Sequence, residues 1–170
     1  MRDIKLIVLD VDGTLTDGKI YIDNLGNEMK SFNVKDGMAI AQAIKNKVDC
    51  AIVTGRSSEI VKKRAEELGI KHVYQGIQNK KEQLKFIIND LNIEVENCAY
   101  IGDDINDLEV MSLVGFSACP NDAAYEVISN SDFISRYNGG NGAVREIIEH
   151  ILKSKEIWNK VVEDYNGGAQ

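Results

Sequence analysis

The chain has 170 residues; at about 150 residues per domain it has room for one domain, which excludes a large enzyme with a separate substrate domain. Hydrophobic residues at 44% and charged residues at 28% describe a soluble globule, and a chain this long buries about 70% of its unfolded surface, enough to fold without disulfides or a structural metal. The 27 acidic and 20 basic side chains leave a net charge of -7, which disfavours a nucleic-acid binder.

Taken in chain order, the predicted elements alternate between strand and helix. Ile4–Leu9 is a short apolar run ending in DVDGT, a buried strand followed by a turn. Its apolar stretch, broken by Lys5 and Asp10, is too short to span a bilayer, and Met1-Arg2-Asp3 leads into it without a signal-peptide layout. Lys19–Ile22 and Glu28–Phe32 flank Asp23–Asn27 as a β-hairpin. Asp36 is placed to cap a helix running to about Asn46. Cys50–Val53 is the next strand, ending in Thr54-Gly55-Arg56. Ser57 or Ser58 opens a helix through Leu68 that Gly69 stops.

Lys71–Tyr74 is a short strand and Lys80–Leu91 a helix with Leu84, Ile87, Ile88 and Leu91 at core spacing. Cys98–Ile101 is a strand ending in Gly102-Asp103-Asp104. A helix from about Asn106 to Leu113, a strand at Gly115–Ala118, a helical turn at Ala123–Ile128, a strand at Phe133-Ile134 and a helix at Gly142–Leu152 follow. Lys153–Gln170 is polar with one Trp and reads as a tail, leaving residues 1–153 as the domain. Repeated strand–helix units imply a parallel sheet covered on both faces. Cys50, Cys98 and Cys119 are odd in number and lack CxxC spacing, which fits a reducing cytoplasm better than a disulfide framework or zinc site. His72 and His150 receive no functional role.

Ligands of such sheets bind beyond the carboxyl ends of the strands, and three strand ends here carry unusual polar residues. Asp10 and Asp12 flank Val11 where the first strand ends; two carboxylates so close repel unless a cation lies between them or one holds a proton. Asp103, Asp104 and Asp107 add three more acids, and a hard divalent ion with oxygen ligands, Mg²⁺ above all, would relieve the repulsion. A Thr54 hydroxyl at a strand end can donate to a phosphoryl oxygen, and a Lys80 ammonium at a helix start can offset charge on a nucleophile and a phosphoryl group. Acidic pair, Thr, Lys and acidic cluster, in that order, form a four-part constellation.

DVDGT, VTGR, the Lys of QNKK and GDDINDL resemble the motifs of the haloacid dehalogenase superfamily of aspartate-nucleophile phosphatases. TDGKIYID, KSFNVKDGMAI, TGRSSEIVKKRAEELGI, YQGIQNK, AYIGDDINDLEVM and GGNGAVRE look like the branch that acts on 3-deoxy-D-manno-octulosonate (Kdo) 8-phosphate, a precursor step of lipopolysaccharide synthesis. The resemblance covers the chain to about Lys153. It implies an α/β fold: a Rossmann-like doubly wound parallel sheet with helices on both faces, a protruding β-hairpin and no cap domain. It implies that Asp10 attacks phosphorus to form an aspartyl-phosphate and that Asp12 protonates the leaving oxygen and then activates water. Mg²⁺ would be held by Asp10, the backbone carbonyl of Asp12, and Asp103. Asp107 would orient Lys80 or a metal-bound water, and Asp104 would reach the ion through water. Thr54 and Lys80 would hold the phosphoryl oxygens, while Gly13 and Gly55 let backbone amides approach them.

A hairpin and one helix use up the chain between Asp12 and Thr54, so no cap domain fits there. An open site would be wet and poorly selective; the resemblance implies a homotetramer in which the hairpin around Tyr21–Glu28 joins subunits and a neighbour closes each site. Arg56, on the same rim as Thr54, can grip a sugar-acid carboxylate; Arg145 is a second candidate, serving its own or a neighbouring site. Lys35 and Asp36 are placed at the same mouth, and the tail could fold over it. Three other readings stay open: a phosphatase of a sialic-type 9-phosphate, a phospho-acceptor signalling domain, and a non-catalytic sugar-binding domain. The acid two residues after the nucleophile argues against the second, and the intact catalytic set against the third. No nucleic-acid or membrane partner is expected.

Overall fold

The structure is a computed structural model and describes residues 3–167. Its main sheet is built from β1 (Leu6–Leu9), β4 (Asp49–Val53), β5 (His72–Tyr74), β6 (Cys98–Ile101), β7 (Phe116–Cys119) and β8 (Phe133–Ile134). The strands are all parallel, in the order β5-β4-β1-β6-β7-β8. β2 (Tyr21–Ile22) and β3 (Glu28–Met29) pair antiparallel as a separate hairpin.

Strand alternation sorts the core into two layers. Ile7 and Leu9 of β1 pack with residues of α1 (Val34–Lys45), α2 (Glu59–Leu68), α6 (Ala143–Ser154) and α7 (Trp158–Tyr165). Leu6 and Val8 point the other way, to α3 (Lys80–Leu91), α4 (Leu108–Met111) and α5 (Tyr125–Ile128). A strand buried on both faces has no polar side, which is why the β1 sequence is a continuous apolar run. The chain steps outward from β1 through β4 to β5, then returns to β6 on the other side of β1. Such a reversal opens a crevice at the carboxyl ends of the central strands, where Asp10, Thr54 and Asp103 follow β1, β4 and β6.

Two local expectations change. Helix α1 is capped by Asn33, whose side chain accepts from the Lys35 amide at 2.8 Å. Asp36 lies inside the first turn, buried, and its carboxylate instead accepts from the Gly142 amide at 3.3 Å and the Arg145 amide at 2.7 Å. It therefore caps α6, whose own N-cap, Gly142, has no side chain to do so. The second change concerns the polar carboxy-terminal segment: it contains α7, whose Trp158 and Val161 are buried in the core and whose Tyr165 hydroxyl accepts from Gln42 of α1 at 3.1 Å. Residues 168–170, the end of the expected tail, lie outside the described residues.

Asp36→Ala leaves two amides at the start of α6 without an acceptor. An unmade buried hydrogen bond costs about 1–3 kcal/mol, so the variant should unfold at lower urea concentration with the slope of the transition unchanged. Denaturation followed by circular dichroism measures this; an unchanged midpoint would show that the contact contributes nothing.

Candidate active site

The site is assembled by short loops leaving the carboxyl ends of the strands. The Asp10 amide donates to the Ile101 carbonyl at 3.0 Å, tying the end of β1 to β6. The chain then turns tightly: the amides of Thr14, Leu15 and Thr16 all donate to the Val11 carbonyl, at 3.2, 2.9 and 3.0 Å. Gly13 makes this turn possible. Its φ is +91°, and a Cβ there would come within 1.9 Å of Asp103 Oδ2, so only glycine fits both the backbone and the neighbour. At Gly55, by contrast, a Cβ would meet only the Ile77 carbonyl, at 3.7 Å.

Lys80 is the first residue of α3 and only 4% exposed. Its ammonium lies 3.0 Å from Asp10 Oδ2 and 2.6 Å from Asp107 Oδ1. Asp107 is fully buried and every direction around its carboxylate is used: Oδ1 also accepts from the Tyr100 hydroxyl at 2.8 Å, and Oδ2 from the amides of Asp103 at 3.1 Å and Asp104 at 3.4 Å. Burial pushes the Tyr100 hydroxyl pKa well up, reinforced by the neighbouring Asp107 charge, so the phenol stays a donor. Lys81, next along the helix, pairs with Glu109 at the surface and takes no part.

Burial and charge crowding together raise the pKa of the acids. Burial raises the Asp10 carboxyl to about 6, helped by repulsion from Asp107 and opposed by Lys80. Burial and repulsion from Asp10 raise Asp103 to about 7, opposed by the Thr14 hydroxyl, which donates to Asp103 Oδ1 at 2.9 Å. Burial works against the Lys80 ammonium, but Asp10 and Asp107 outweigh it and hold its pKa above the ordinary lysine value. One buried cation faces three acids, a local excess of negative charge.

Carboxylate oxygens of Asp10, Asp103 and Asp107 lie within 4.8 Å of one another. Hard oxygen donors at that spacing, carrying uncompensated charge, fit a Mg²⁺ ion. Because Asp107 already accepts four protein hydrogen bonds, Asp10 and Asp103 are the better placed carboxylate ligands. The Asp12 carboxylate is not in this group; it is held by Lys30. Asp104 is exposed, and its carboxylate accepts from the Ile105 amide at 2.8 Å.

A cavity of about 180 Å³ is lined by Asp10, Asp12, Thr54, Gly55, Arg56, Asp103, Asp104 and Asn106. The residues expected from the strand-end pattern thus meet around one opening, joined by Asn106, and Lys80 reaches Asp10 from behind. Arg56 is there too, its side chain 51% exposed, with Nη2 3.3 Å from Glu28 Oε2 and Nε 3.8 Å from Asp12 Oδ2. Arg145 is not. It lines a separate cavity with Lys35, Arg136 and Tyr137; its Nε is 2.5 Å from Glu149 Oε1 and its guanidinium lies 4.7 Å from the Trp158 ring centroid. Lys35 and the buried Asp36 are likewise away from the Asp10 cavity.

Lys30, Glu28, Thr14 and Tyr100 were not singled out from the sequence. For the first two a signal existed: residues i and i+2 of a strand share a face, so Glu28 and Lys30 leave the hairpin on one side. Tyr100, in a wholly buried strand, had none.

Kinship with known proteins agrees with this geometry. A family model described as haloacid dehalogenase-like hydrolase matches residues 7–78 and 72–148. The 3-deoxy-D-manno-octulosonate 8-phosphate phosphatase KdsC of Escherichia coli K12 is 45% identical over 151 residues, covering 89% of this chain and 80% of that protein. A crystal structure of 3-deoxy-D-manno-octulosonate 8-phosphate phosphatase from Moraxella catarrhalis, in complex with magnesium, phosphate and Kdo, superposes with a TM-score of 0.94 at 40% identity, covering 96% of this chain and 94% of that one. The cobalt-bound phosphatase from Haemophilus influenzae gives 0.88 at 35% identity, over 92% and 91% of the two chains.

The raised acids set a pH dependence. Asp10 and Asp103 bind protons more tightly in the folded chain (about 6 and 7) than at their ordinary value of 3.8. Without metal, their contribution favours folding at low pH and is lost as pH rises through those values. Mg²⁺ competes with the same protons. Differential scanning fluorimetry should therefore show a larger Mg²⁺-induced rise in melting temperature at mildly alkaline than at mildly acidic pH; an equal or larger rise on the acidic side would place the ion elsewhere.

Proposed function

The chain belongs to the haloacid dehalogenase-like hydrolases, and from that premise we propose that it is a magnesium-dependent phosphatase converting 3-deoxy-D-manno-octulosonate 8-phosphate to Kdo and inorganic phosphate. The observation that carries this reading is Lys80 held between Asp10 and Asp107 behind the cavity at the carboxyl ends of the central strands, in a chain 45% identical to phosphatases of that substrate.

The chemistry divides one displacement into two. A carboxylate oxygen of Asp10 attacks phosphorus while the bond to the sugar oxygen breaks, and Asp12 gives that oxygen its proton. The phosphoryl group now sits on Asp10 as an acyl phosphate. Asp12, left ionised, takes a proton from water as the water oxygen attacks phosphorus; the bond to Asp10 breaks and phosphate departs. The Lys80 ammonium and the Thr54 hydroxyl offset charge on the phosphoryl oxygens, and Asp107 keeps Lys80 in place. Bound Mg²⁺, held by Asp10, the Asp12 carbonyl and Asp103, supplies the charge neutralisation that lets an anionic nucleophile meet an anionic substrate. Arg56, half exposed at the rim, grips the substrate carboxylate.

Residues 1–153 supply the catalytic residues, and α7 packs on their core through Trp158 and Val161. The hairpin carries exposed Ile20, Tyr21, Ile22, Leu25 and Met29. Apolar surface concentrated on an isolated two-stranded ribbon suits burial against another subunit, which supports a homotetramer whose neighbouring chains close the open cavity. Cys50, Cys98 and Cys119 are free and buried, in keeping with a cytoplasmic setting; no helix among the described residues is long and apolar enough to cross a membrane.

Phosphate release from Kdo 8-phosphate with Mg²⁺ is the test. Turnover should exceed that on sialic-type 9-phosphates, fall on dilution below the assembly's dissociation range, and drop on the order of 10⁴-fold or more in Asp10→Asn. Retained turnover in that variant would remove the mechanism, and a fully active monomer in sedimentation would remove the assembly.

A further inference from the structure

Lys30 has no place in the chemistry above, yet its side chain is only 1% exposed and its ammonium is spent on two acids. It donates to Asp12 Oδ1 and lies 3.0 Å from Glu28 Oε1. Glu28 Oε2 in turn faces Arg56 Nη2 at 3.3 Å, and Arg56 Nε faces Asp12 Oδ2 at 3.8 Å. The four side chains form a closed ring of alternating charge: Asp12, Lys30, Glu28, Arg56. Two of its members come from the hairpin strand and its continuation, one from the turn after β1 and one from the turn after β4.

The ring treats its members unequally. Arg56 is half exposed and its contacts are the longer ones, so substrate can draw it away at little cost. Lys30 is desolvated, and a buried ammonium that loses its partners is costly; it stays on Asp12 throughout. A carboxylate that must hand a proton to a leaving oxygen and then take one from water has to be aimed within about half an ångström. Asp12 sits on a turn and its side chain is 23% exposed, so the turn alone leaves its aim loose.

We propose that Lys30 is the positioning residue of Asp12: the hairpin reaches back across its own subunit and orients the proton-transfer group through one buried ammonium, while Glu28 holds Arg56 until a substrate anion replaces it. This rests on the reading of Asp12 as acid and base, and adds a catalytic task to the hairpin beyond assembly.

The experiment compares two leaving groups. An alkyl phosphate such as Kdo 8-phosphate needs a proton on its leaving oxygen, whereas p-nitrophenyl phosphate does not. In Lys30→Met, kcat on Kdo 8-phosphate should fall about 100-fold, the scale of a displaced catalytic group. The first step with p-nitrophenyl phosphate should survive and the second should slow, giving a burst of p-nitrophenolate. Lys30→Arg should recover part of the loss. An equal fall on both substrates without a burst would make Lys30 merely structural and overturn the proposal. If Lys30→Met does not fold, Lys30→Gln takes the same comparison; failure of both to fold also overturns it. Asp12→Asn is run beside them: if it keeps full activity, the acid–base reading itself fails, whereas its inactivity with an unmoved Lys30 variant rejects this inference alone.

Discussion

The ammonium of Lys80 makes three neighbouring carboxylates tolerable in the interior of the protein. Asp10 and Asp107 would repel each other across a gap that water hardly enters; a cation 3.0 Å from one and 2.6 Å from the other turns that repulsion into attraction. The balance is incomplete, because Asp103 brings a further acid for which the described residues supply no ion-pair partner. The site is thus built two positive charges short, and that shortage makes a divalent ion welcome.

Much of the fold serves this arrangement. The reversal of strand order at β1 brings the ends of β1 and β6 side by side, so that residues far apart in the chain, Asp10 and Asp103, can share one ion. Gly13 lets the turn after β1 pass against the Asp103 carboxylate, and Asp107 gathers Lys80, Tyr100 and two backbone amides on one buried carboxylate. On the opposite face of the sheet, Asp36 ties α1 to the start of α6, and Arg145 joins α6 to Trp158 of α7.

Features set by local order were legible in the residues. Strand ends carry Asp10, Thr54 and Asp103 because a strand's terminus is fixed by its own apolar run, and Lys80 follows a capping Asn79 at a helix start. What escaped was set by side-chain partners that tertiary packing selects. Asp36 has the spacing of a cap for its own helix but caps one 106 positions away. Lys30 and Arg145 have long side chains whose directions are decided by what they meet, Asp12 in one case and Glu149 with Trp158 in the other. The last helix was hidden because a mostly polar segment needs only Trp158 and Val161, one helical turn apart, to dock on a core already built.

Asp10 must carry the phosphoryl group if this chemistry operates, so the most direct measurement is to trap it. Enzyme turning over substrate with Mg²⁺ can be quenched in acid, digested and examined by mass spectrometry after borohydride reduction, which converts an aspartyl-phosphate to homoserine. Homoserine at position 10, absent when Mg²⁺ is withheld, is the predicted result. Turnover with an unmodified Asp10 under conditions that trap a known acyl phosphate, or modification at another residue, would contradict it.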